Sequence, residues 1–311
     1  MKFKKPAFWD YKEPNIIAYL MLPFSYLFQF ISFLNDGKKI KLQRIKTICI
    51  GNIYLGGTGK TPISIKISKI LNNLGFKTAF IKKKYYNQID EQKILSSNGK
   101  LFCKNNRIDA LKEAVEKDIE VAILDDGLQD KQLTYDISFA CFNIEKWVGN
   151  GLIIPSGPLR ENLSNLKKYD AIFLNGNGEE CKIMKKIIKE INTNLQIFEA
   201  EYFVLNIEKF DLSHPYLAFS GIGNPNSFEK TLKKNNFKVL KVINFPDHYN
   251  YTNKDILEIK QNAKKLNAKI ITTEKDYNRL NLLNSDDINY LKIQLKIINE
   301  NELINFLNKK L

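Results

Sequence analysis

Residues 51–61 read Gly51-Asn52-Ile53-Tyr54-Leu55-Gly56-Gly57-Thr58-Gly59-Lys60-Thr61, and they follow directly on the apolar run Ile48-Cys49-Ile50. The apolar run predicts a short buried strand, and residues 62–74 predict a helix after the loop. A glycine-rich loop in this position points backbone N–H groups and the positive end of the helix dipole at one anionic group. We therefore predict a P-loop, in which Lys60 contacts the β- and γ-phosphates of a nucleoside triphosphate and the Thr61 hydroxyl contacts Mg²⁺.

The loop differs from the common P-loop pattern in the placement of its glycines. Tyr54 stands where the pattern has a glycine, and two glycines crowd nearer the lysine. An ordinary glycine turn in a strand–helix unit is the alternative interpretation, but the order of strand, loop and helix favours a phosphate site. The residues expected to bind the nucleotide are Gly56, Gly57, Thr58, Gly59, Lys60 and Thr61.

Length and composition indicate a chain of two globular domains. The chain has 311 residues, 44% of them apolar, and a formal net charge of +14. The charge suits an acidic partner such as phospholipid headgroups or a phosphorylated substrate, although a lysine-rich composition gives the same charge with no partner. No RNA-binding, helix-turn-helix or zinc-finger pattern points to nucleic acid. The four cysteines are widely spaced, so we expect reduced thiols in a cytosol-facing protein.

The N-terminal segment 15–34 contains no charged residue and is flanked on both sides by lysines. Its length is that of a transmembrane helix. Pro23 and the polar residues Ser25, Gln29 and Ser32 argue against a span, and its aromatic residues do not gather at the two ends. A helix lying on the membrane surface fits this pattern better, and a helix buried in the protein's own core is the alternative. We expect a monotopic membrane anchor and no cleaved signal peptide.

The apolar run at 120–124 predicts a buried strand that ends in Asp125 and Asp126. P-loop folds place the carboxylate that holds Mg²⁺ through water at such a strand end, although paired aspartates also favour a turn. Further strands are predicted at 78–81, 137–144 and 169–174, with a loop at 82–86 and a helix at 107–117. This alternation predicts an α/β fold, a P-loop NTPase-like doubly wound parallel sheet with ligands at the carboxyl ends of its strands.

A second, smaller α/β domain is predicted after residue 200. We expect an N-terminal membrane-associated helix at 1–36, a P-loop domain at 37–200 and a C-terminal domain at 201–311 that closes over the P-loop site. Residues 198–207 alternate like a hairpin or a hinge strand. The remaining predicted elements of this domain are strands at 216–220, 238–244 and 269–273 and helices at 226–235, 253–266 and 301–311.

Several further motifs occur in a fixed order along the chain. They are Asp125-Asp126-Gly127-Leu128-Gln129, Gly149-Asn150-Gly151, Pro155-Ser156-Gly157-Pro158-Leu159-Arg160-Glu161, Gly221-Ile222-Gly223-Asn224-Pro225, Phe245-Pro246-Asp247-His248 and Thr272-Thr273-Glu274-Lys275-Asp276. Together with the loop at 51–62 they resemble the tetraacyldisaccharide 4′-kinase family of the lipid A pathway, from the N-terminal helix to about residue 280.

The resemblance implies an ATP- and Mg²⁺-dependent kinase at the cytoplasmic face of the bacterial inner membrane. Its reaction is phosphorylation of the 4′-hydroxyl of a tetraacyldisaccharide 1-phosphate, which gives lipid IVA. By the same resemblance Asp90 and His248 form the catalytic base pair. The remaining implied roles are Mg²⁺ or phosphate-side carboxylates at Asp125, Asp126 and Glu161, positive charge for phosphates at Lys83 and Arg160, and hydrogen bonds to substrate or loop from Asn52 and Gln129. A surface ion pair between Arg160 and Glu161 is the alternative for those two residues.

The chain also departs from the family pattern. Lys82-Lys83-Lys84-Tyr85-Tyr86 stands where Ser-Arg-Gly-Tyr-Gly is expected, so Lys83 replaces an arginine. Ile89-Asp90-Glu91 replaces Gly-Asp-Glu in a shortened region, and Asp130 replaces a histidine. Two other classes remain open: a membrane-associated P-loop ATPase that acts as a switch, and a scaffold that only binds nucleotide. If the chain is such a switch, it should hydrolyse ATP in the absence of any sugar substrate, and His248 should have no role.

Overall fold

The computed structural model describes residues 5–34, 37, 39–85, 89–176, 179–247, 249–280 and 286–311, apart from the side chains of Asp90 and Glu179. The chain divides into two compact units. Unit 1 comprises Met1–Glu201 and Ile297–Leu311, and unit 2 comprises Tyr202–Lys296. The expected second domain at 201–311 is therefore too long, because the last helix returns to unit 1.

The main sheet has eight strands in the order β12-β7-β6-β5-β1-β4-β2-β3. The central strand β1 pairs in parallel with β4 on one side and with β5 on the other. Strands β1 to β7 pair in parallel and form the predicted doubly wound parallel sheet, with the loop at 51–61 leaving its middle. The strands are β1 (Lys46–Gly51), β2 (Thr78–Lys83), β3 (Leu101–Lys104), β4 (Val121–Asp125), β5 (Ile137–Asn143), β6 (Ala171–Asn175), β7 (Gln196–Val204) and β12 (Ile293–Ile297).

Alternate residues of a strand face opposite sides of the sheet. Because residues on both sides of the central strands are buried, helices cover both faces of the main sheet. Ala122 and Leu124 of β4 share a buried cluster with Ala110 and Leu111 of one helix. A second helix contacts β1, β2 and β4 through other residues. The helices of unit 1 are α1 (Ile16–Leu20), α2 (Leu22–Leu34), α3 (Lys60–Asn73), α4 (Ile89–Asn98), α5 (Arg107–Glu116), α6 (Glu179–Ile191) and α10 (Glu300–Lys310), of which α5 and α3 are the two just described.

Unit 2 is built on a four-stranded parallel sheet of order β11-β10-β8-β9. The Thr252 side chain and Asp255 form a capping box at the start of one of its helices. Its strands and helices are β8 (Pro215–Ser220), α7 (Pro225–Lys234), β9 (Lys238–Asn244), α8 (Asn253–Lys265), β10 (Lys269–Thr273), α9 (Glu274–Tyr277) and β11 (Ile288–Leu291). The bounds of β8, α7, β9, α8 and β10 agree with the predicted elements to within a residue or two, whereas α9 and β11 were not predicted.

Three details of the main sheet differ from the sequence-based expectation. The predicted loop at 82–86 is wrong at its start, because Lys82 and Lys83 continue strand β2. The hairpin alternative for 198–207 is also wrong, since β7 pairs in parallel with β6 and carries the chain into unit 2. The sequence analysis also predicts no element where α4 and β3 lie, in a polar region, nor at α6 or β12.

The N-terminal helices α1 and α2 expose their apolar side chains and turn polar residues toward the rest of the protein. The polar residues of α2, Ser25, Gln29 and Ser32, form a polar stripe that faces the rest of unit 1. The buried Ser25 hydroxyl donates to the Ile153 carbonyl at 2.8 Å, and the Ser32 carbonyl accepts from Lys131. The alternative of a helix buried in the protein core is wrong, because most apolar side chains of α1 and α2 are exposed. The exposed side chains are Ile16, Ile17, Tyr19, Leu20, Met21, Phe24, Tyr26, Leu27, Phe28, Phe30, Ile31, Phe33 and Leu34. In the part of the chain that the structure describes, no helix combines the length and hydropathy needed to cross a membrane.

Candidate active site

The loop after β1 turns at two glycines whose backbone angles are strained for any other residue. The angle φ is +150° at Gly56 and +84° at Gly59, the residue before α3. Helix α3 begins directly at Lys60, so its unpaired first-turn N–H groups open toward the loop. An anion at the mouth of the loop is stabilised by these donors and by the helix dipole.

Buried amide side chains hold the loop from behind. Asn52 Nδ2 donates to the Gly56 carbonyl at 3.0 Å, and the Asn175 amide donates to the Thr58 carbonyl. Because Asn52 is completely buried, the structure shows its loop contact, not a substrate contact. The Thr58 hydroxyl is also buried and has no hydrogen-bond partner among the described residues. An unpaired buried hydroxyl costs about 1–3 kcal/mol, which a ligand oxygen at the loop would offset.

The strand end at Asp125 meets the start of α3. Its Oδ2 atom accepts from the Thr61 hydroxyl at 3.3 Å, and its Oδ1 atom accepts from the Ser64 hydroxyl at 3.3 Å. The Lys82 ammonium donates to the same Oδ2 atom at 2.6 Å. Burial lowers the pKa of Lys82, but the charges of Asp125 and Glu91 more than offset it and raise the pKa above its usual range. Lys82 is therefore a charged ammonium inside the protein.

Two cations of the site converge on the Asp126 carboxylate. Arg160 Nη1 lies 2.8 Å from Oδ1 and Lys60 Nζ lies 3.9 Å from Oδ2. Burial raises the pKa of Asp126, but the charges of Lys60 and Arg160 prevail and lower it to about 2. Asp126 is thus ionised at neutral pH, and it pairs with both side chains beside the loop.

The lowered pKa of Asp126 makes a prediction about acid stability. Its carboxylate stabilises the fold above the ordinary value of 3.8, and this contribution is lost as the pH falls through about 2. When the pH is lowered from about 4 to about 2, the unfolding free energy of the wild type should fall as this contribution is lost. In Asp126→Asn we expect that fall to be smaller by up to about 2 kcal/mol. Denaturant titrations at several pH values measure it, with the exposed Asp118→Asn as control. Equal slopes for wild type and Asp126→Asn contradict the ion pairs.

The Glu161 carboxylate is hydrogen-bonded by three uncharged side chains. Its carboxylate accepts from Gln129 Nε2 at 3.0 Å, from Asn165 and from the Tyr169 hydroxyl. The alternative of an Arg160–Glu161 ion pair is wrong, because Arg160 pairs with Asp126 and donates to Gln129. Among the described residues no three acidic, histidine or cysteine side chains lie close enough to hold a metal ion. The contacts of Glu161 therefore give its predicted metal role no support.

A cavity of about 550 Å³ opens beside this network. Lys83, one of the predicted phosphate-side cations, lies in its lining. Arg107 donates to Asp130 at 2.9 Å and to the Asp126 carbonyl at 2.5 Å, so Asp130 serves as an ion-pair partner of Arg107. The lining carries more positive than negative charge and suits an anionic ligand. Its residues are Lys83, Tyr85, Asn106, Arg107, Asp126, Gln129, Asp130, Lys131, Gln132 and Arg160.

The predicted base pair lies outside the described side chains. The backbone of Asp90 is in the first turn of α4, next to Glu91, which accepts from Lys82 at 2.7 Å. Helix α4 is thus connected to the strand end that carries Asp125. His248 itself is not among the described residues, so the pairing of Asp90 with His248 stays a prediction.

Sequence reasoning missed three residues of this site: Lys82, Ser64 and Arg107. Lys82 was hidden in a run of lysines typical of a solvated loop, although it follows Phe80 on one face of a strand. Ser64 follows Thr61 by three positions, a spacing that places both hydroxyls on one face of a helix. Arg107 opens α5 beyond the Asn106 cap and carries no motif signal.

Comparisons with known proteins agree with this geometry. A family model described as tetraacyldisaccharide-1-P 4′-kinase matches residues 17–311. A Pelagibacter ubique protein named tetraacyldisaccharide 4′-kinase is 52% identical over 99% of this chain and 98% of its own length. A Rickettsia typhi protein of the same name is 35% identical, over 98% of each chain.

A solved structure agrees at the level of the fold. The crystal structure of LpxK from Aquifex aeolicus in complex with ATP superposes with a TM-score of 0.69 at 22% identity, covering 95% of this chain and 99% of that one. The motifs quoted from the sequence, the loop on the middle strand of a parallel sheet and the second small sheet therefore have one common explanation. The chain belongs to the tetraacyldisaccharide-1-P 4′-kinase family.

Proposed function

We propose that the chain uses the loop site of unit 1 to transfer the γ-phosphate of ATP to the 4′-hydroxyl of a tetraacylated glucosamine disaccharide 1-phosphate. Membership of the family carries the reaction class, which is ATP-dependent 4′-phosphorylation in lipid A biosynthesis. The substrate is a lipid disaccharide, and its exact acylation and its 1-phosphate belong to the proposal.

One observation carries the assignment of the site. The Thr61 hydroxyl lies 3.3 Å from the Asp125 carboxylate at the mouth of the loop. Lys60 and Arg160 are held on the other side by Asp126. Phosphoryl transfer depends mainly on positioning and on charge stabilisation. Fixed cations beside a backbone cradle supply both, so this arrangement suits the triphosphate of ATP.

The residues present fit a magnesium ion. Thr61 and Asp125 are hard oxygen donors, of the kind that Mg²⁺ prefers together with water and phosphate oxygens. The unpaired Thr58 hydroxyl marks the same loop as a place for further oxygen ligands. Thr61 and Asp125 would hold the ion, which neutralises charge on the β- and γ-phosphates when bound.

Asp90 is the proposed general base for the sugar hydroxyl. In this proposal its carboxylate takes the proton of the 4′-hydroxyl while the hydroxyl oxygen bonds to the γ-phosphorus and ADP departs. His248 would hold and orient the carboxylate. Asp90 belongs to unit 1 and His248 to unit 2, and we propose that unit 2 closes over the active site in the working enzyme.

The proposal is tested by separating transfer from hydrolysis. Purified protein is incubated with γ-labelled ATP and Mg²⁺, with and without a tetraacyldisaccharide 1-phosphate in detergent micelles. We expect label in the lipid and little free phosphate when lipid is absent. Lipid-independent hydrolysis without labelled lipid favours the alternative of a membrane-associated ATPase switch.

We further propose that α1 and α2 lie on the cytoplasmic face of the bacterial inner membrane. Phe24, Phe30 and Phe33 are exposed by 60%, 58% and 72%, whereas the polar stripe of α2 faces the protein. Burying such rings in water-free surroundings is favourable, at about 25 cal/mol per Å² of apolar surface. A lipid surface would bury the exposed apolar side chains of α1 and α2, and it would also bring the enzyme to its acylated substrate.

Replacing these rings is expected to weaken membrane binding. For Phe24→Gln, Phe30→Gln and Phe33→Gln combined we expect at least about 100-fold weaker partition, from about 1 kcal/mol per ring. Flotation with vesicles of phosphatidylethanolamine and phosphatidylglycerol measures it. The control combines Ile183→Gln, Leu240→Gln and Leu257→Gln, which are exposed apolar side chains elsewhere. Equal flotation of both triple variants excludes the anchor.

A further inference from the structure

The Lys82 side chain is a charged group enclosed in the protein at the edge of the nucleotide site. It lies near the end of β2 and is only 1% exposed. Its ammonium donates to Asp125 Oδ2 at 2.6 Å and to Glu91 Oε2 at 2.7 Å. A buried cation requires such partners, because transfer of an unpaired charge out of water is very costly.

The Asp125 carboxylate is shared between Lys82 and the residues that face the phosphates. The oxygen that accepts from Lys82 also accepts from the Thr61 hydroxyl, and the other oxygen accepts from Ser64. Asp125 is completely buried, so these donors lie around it without bulk water between them. Any cation that approaches Thr61 therefore meets a carboxylate that the ammonium has already neutralised.

We propose that Lys82 is a positioning residue that acts as the resident counter-ion of Asp125 and competes with a divalent cation for it. The inference rests on the proposed function only in placing a nucleotide at the loop. Lys82 attracts the phosphates of a metal-free nucleotide, since it adds positive charge beside the loop. It opposes a divalent cation, since two like charges then share one carboxylate. Glu91 offers the ammonium a second partner when Asp125 turns to the metal.

This role predicts two opposite effects when Lys82 is removed: weaker ATP binding without Mg²⁺, and a lower Mg²⁺ requirement. In Lys82→Met, ATP binding in EDTA is expected to weaken by about tenfold, because one nearby positive charge is lost. The Mg²⁺ concentration that gives half of the Mg²⁺-dependent gain in ATP affinity is expected to fall by about tenfold, because the competitor is gone. If Lys82 were only a structural charge, its loss would weaken binding in both conditions.

Isothermal titration with ATP, in EDTA and across a series of Mg²⁺ concentrations, tests the proposal without any lipid. Lys104→Met is the control, because Lys104 is a lysine of the neighbouring strand β3 whose side chain is half exposed and pairs with Glu113. An unchanged or higher Mg²⁺ requirement in Lys82→Met overturns the competition. Failure of the family reaction would instead appear as absent lipid phosphorylation with nucleotide binding intact.

A second variant keeps the test decisive if Lys82→Met does not fold. Glu91→Gln removes the negative charge of the second carboxylate and leaves Asp125 as the only anion paired with Lys82 among the described residues. We then expect the Mg²⁺ requirement to rise by a few-fold, the opposite direction from Lys82→Met. A fall or no change in Glu91→Gln contradicts the assignment of Lys82 as a competing counter-ion.

Discussion

Asp90→Asn is expected to lower kcat by about 10²- to 10⁴-fold, the range typical of a lost general base. Asparagine has nearly the same shape as aspartate but takes no proton from the sugar hydroxyl. ATP binding should stay within about twofold, because a substitution away from the loop changes its energetics little. Single-turnover transfer to the lipid disaccharide measures the first quantity, and calorimetric titration with ATP measures the second.

His248→Gln is expected to show the same division between turnover and binding, with a smaller loss because the histidine acts through the carboxylate. The chain offers a matched control, since it contains only one other histidine. His214 lies in the same unit, exposed and paired with Asp211, and His214→Gln should leave kcat within about twofold. For Asp90 the control is the exposed Glu116→Gln. Near-normal kcat in both Asp90→Asn and His248→Gln would refute the base pair.

Lys60→Met is expected to lower kcat/KM by about 10²- to 10³-fold, the usual cost of removing one charge that stabilises the transition state. The lysine begins α3 at the mouth of the loop, and its ammonium lies 3.9 Å from Asp126. Part of the loss should appear as weaker ATP binding, because the same charge faces the ground-state phosphates. Steady-state kinetics at varied ATP separates the two contributions.

The control for Lys60 lies on the same helix. Lys69 is exposed, so Lys69→Met removes one charge from α3 without touching the loop. We expect its kcat/KM to stay within about twofold. Equal losses in the two variants would mean that the net charge of the helix, and not the position of Lys60, determines turnover.

Much of the fold was predictable because short apolar runs alternate with helical patterns along the chain. The strand at 48–50, the loop and α3 were placed correctly because strand, glycines and helix follow one another without a gap. Helix α4 and strand β3 were missed because the region before residue 106 is polar and offers weak periodicity. The folded conformation of α4 and β3 depends on their contacts with β2 and α3, which a local sequence pattern does not show.

The return of α10 to unit 1 was also beyond local reasoning. An amphipathic helix at the end of a chain shows which face is apolar, but it does not show which domain buries that face. In the structure the Phe306 ring lies 5.8 Å from that of Phe139 and 5.5 Å from that of Phe198. These aromatic contacts with β5 and β7 hold the helix on the main sheet.

The candidate site was predictable where a motif fixes a residue's place on the backbone. The positions of Lys60, Thr61 and Asp125 were predicted in this way, and the structure brings them to one edge of the sheet. The alternative of an Arg160–Glu161 ion pair came from their adjacency in sequence and was wrong, because the fold presents Asp126 to Arg160. Lys82 was overlooked because its charge suggested solvent, whereas two carboxylates supplied by other elements make its burial possible.

The position of the transferred phosphate tests the central claim most directly. The lipid product of a complete reaction with ATP and Mg²⁺ is isolated and analysed by phosphorus and proton NMR. We predict a new phosphomonoester whose phosphorus couples to the proton on the 4′ carbon of the disaccharide, with one ADP formed for each product. Phosphate at another position, or ADP and free phosphate with unchanged lipid, would contradict the account.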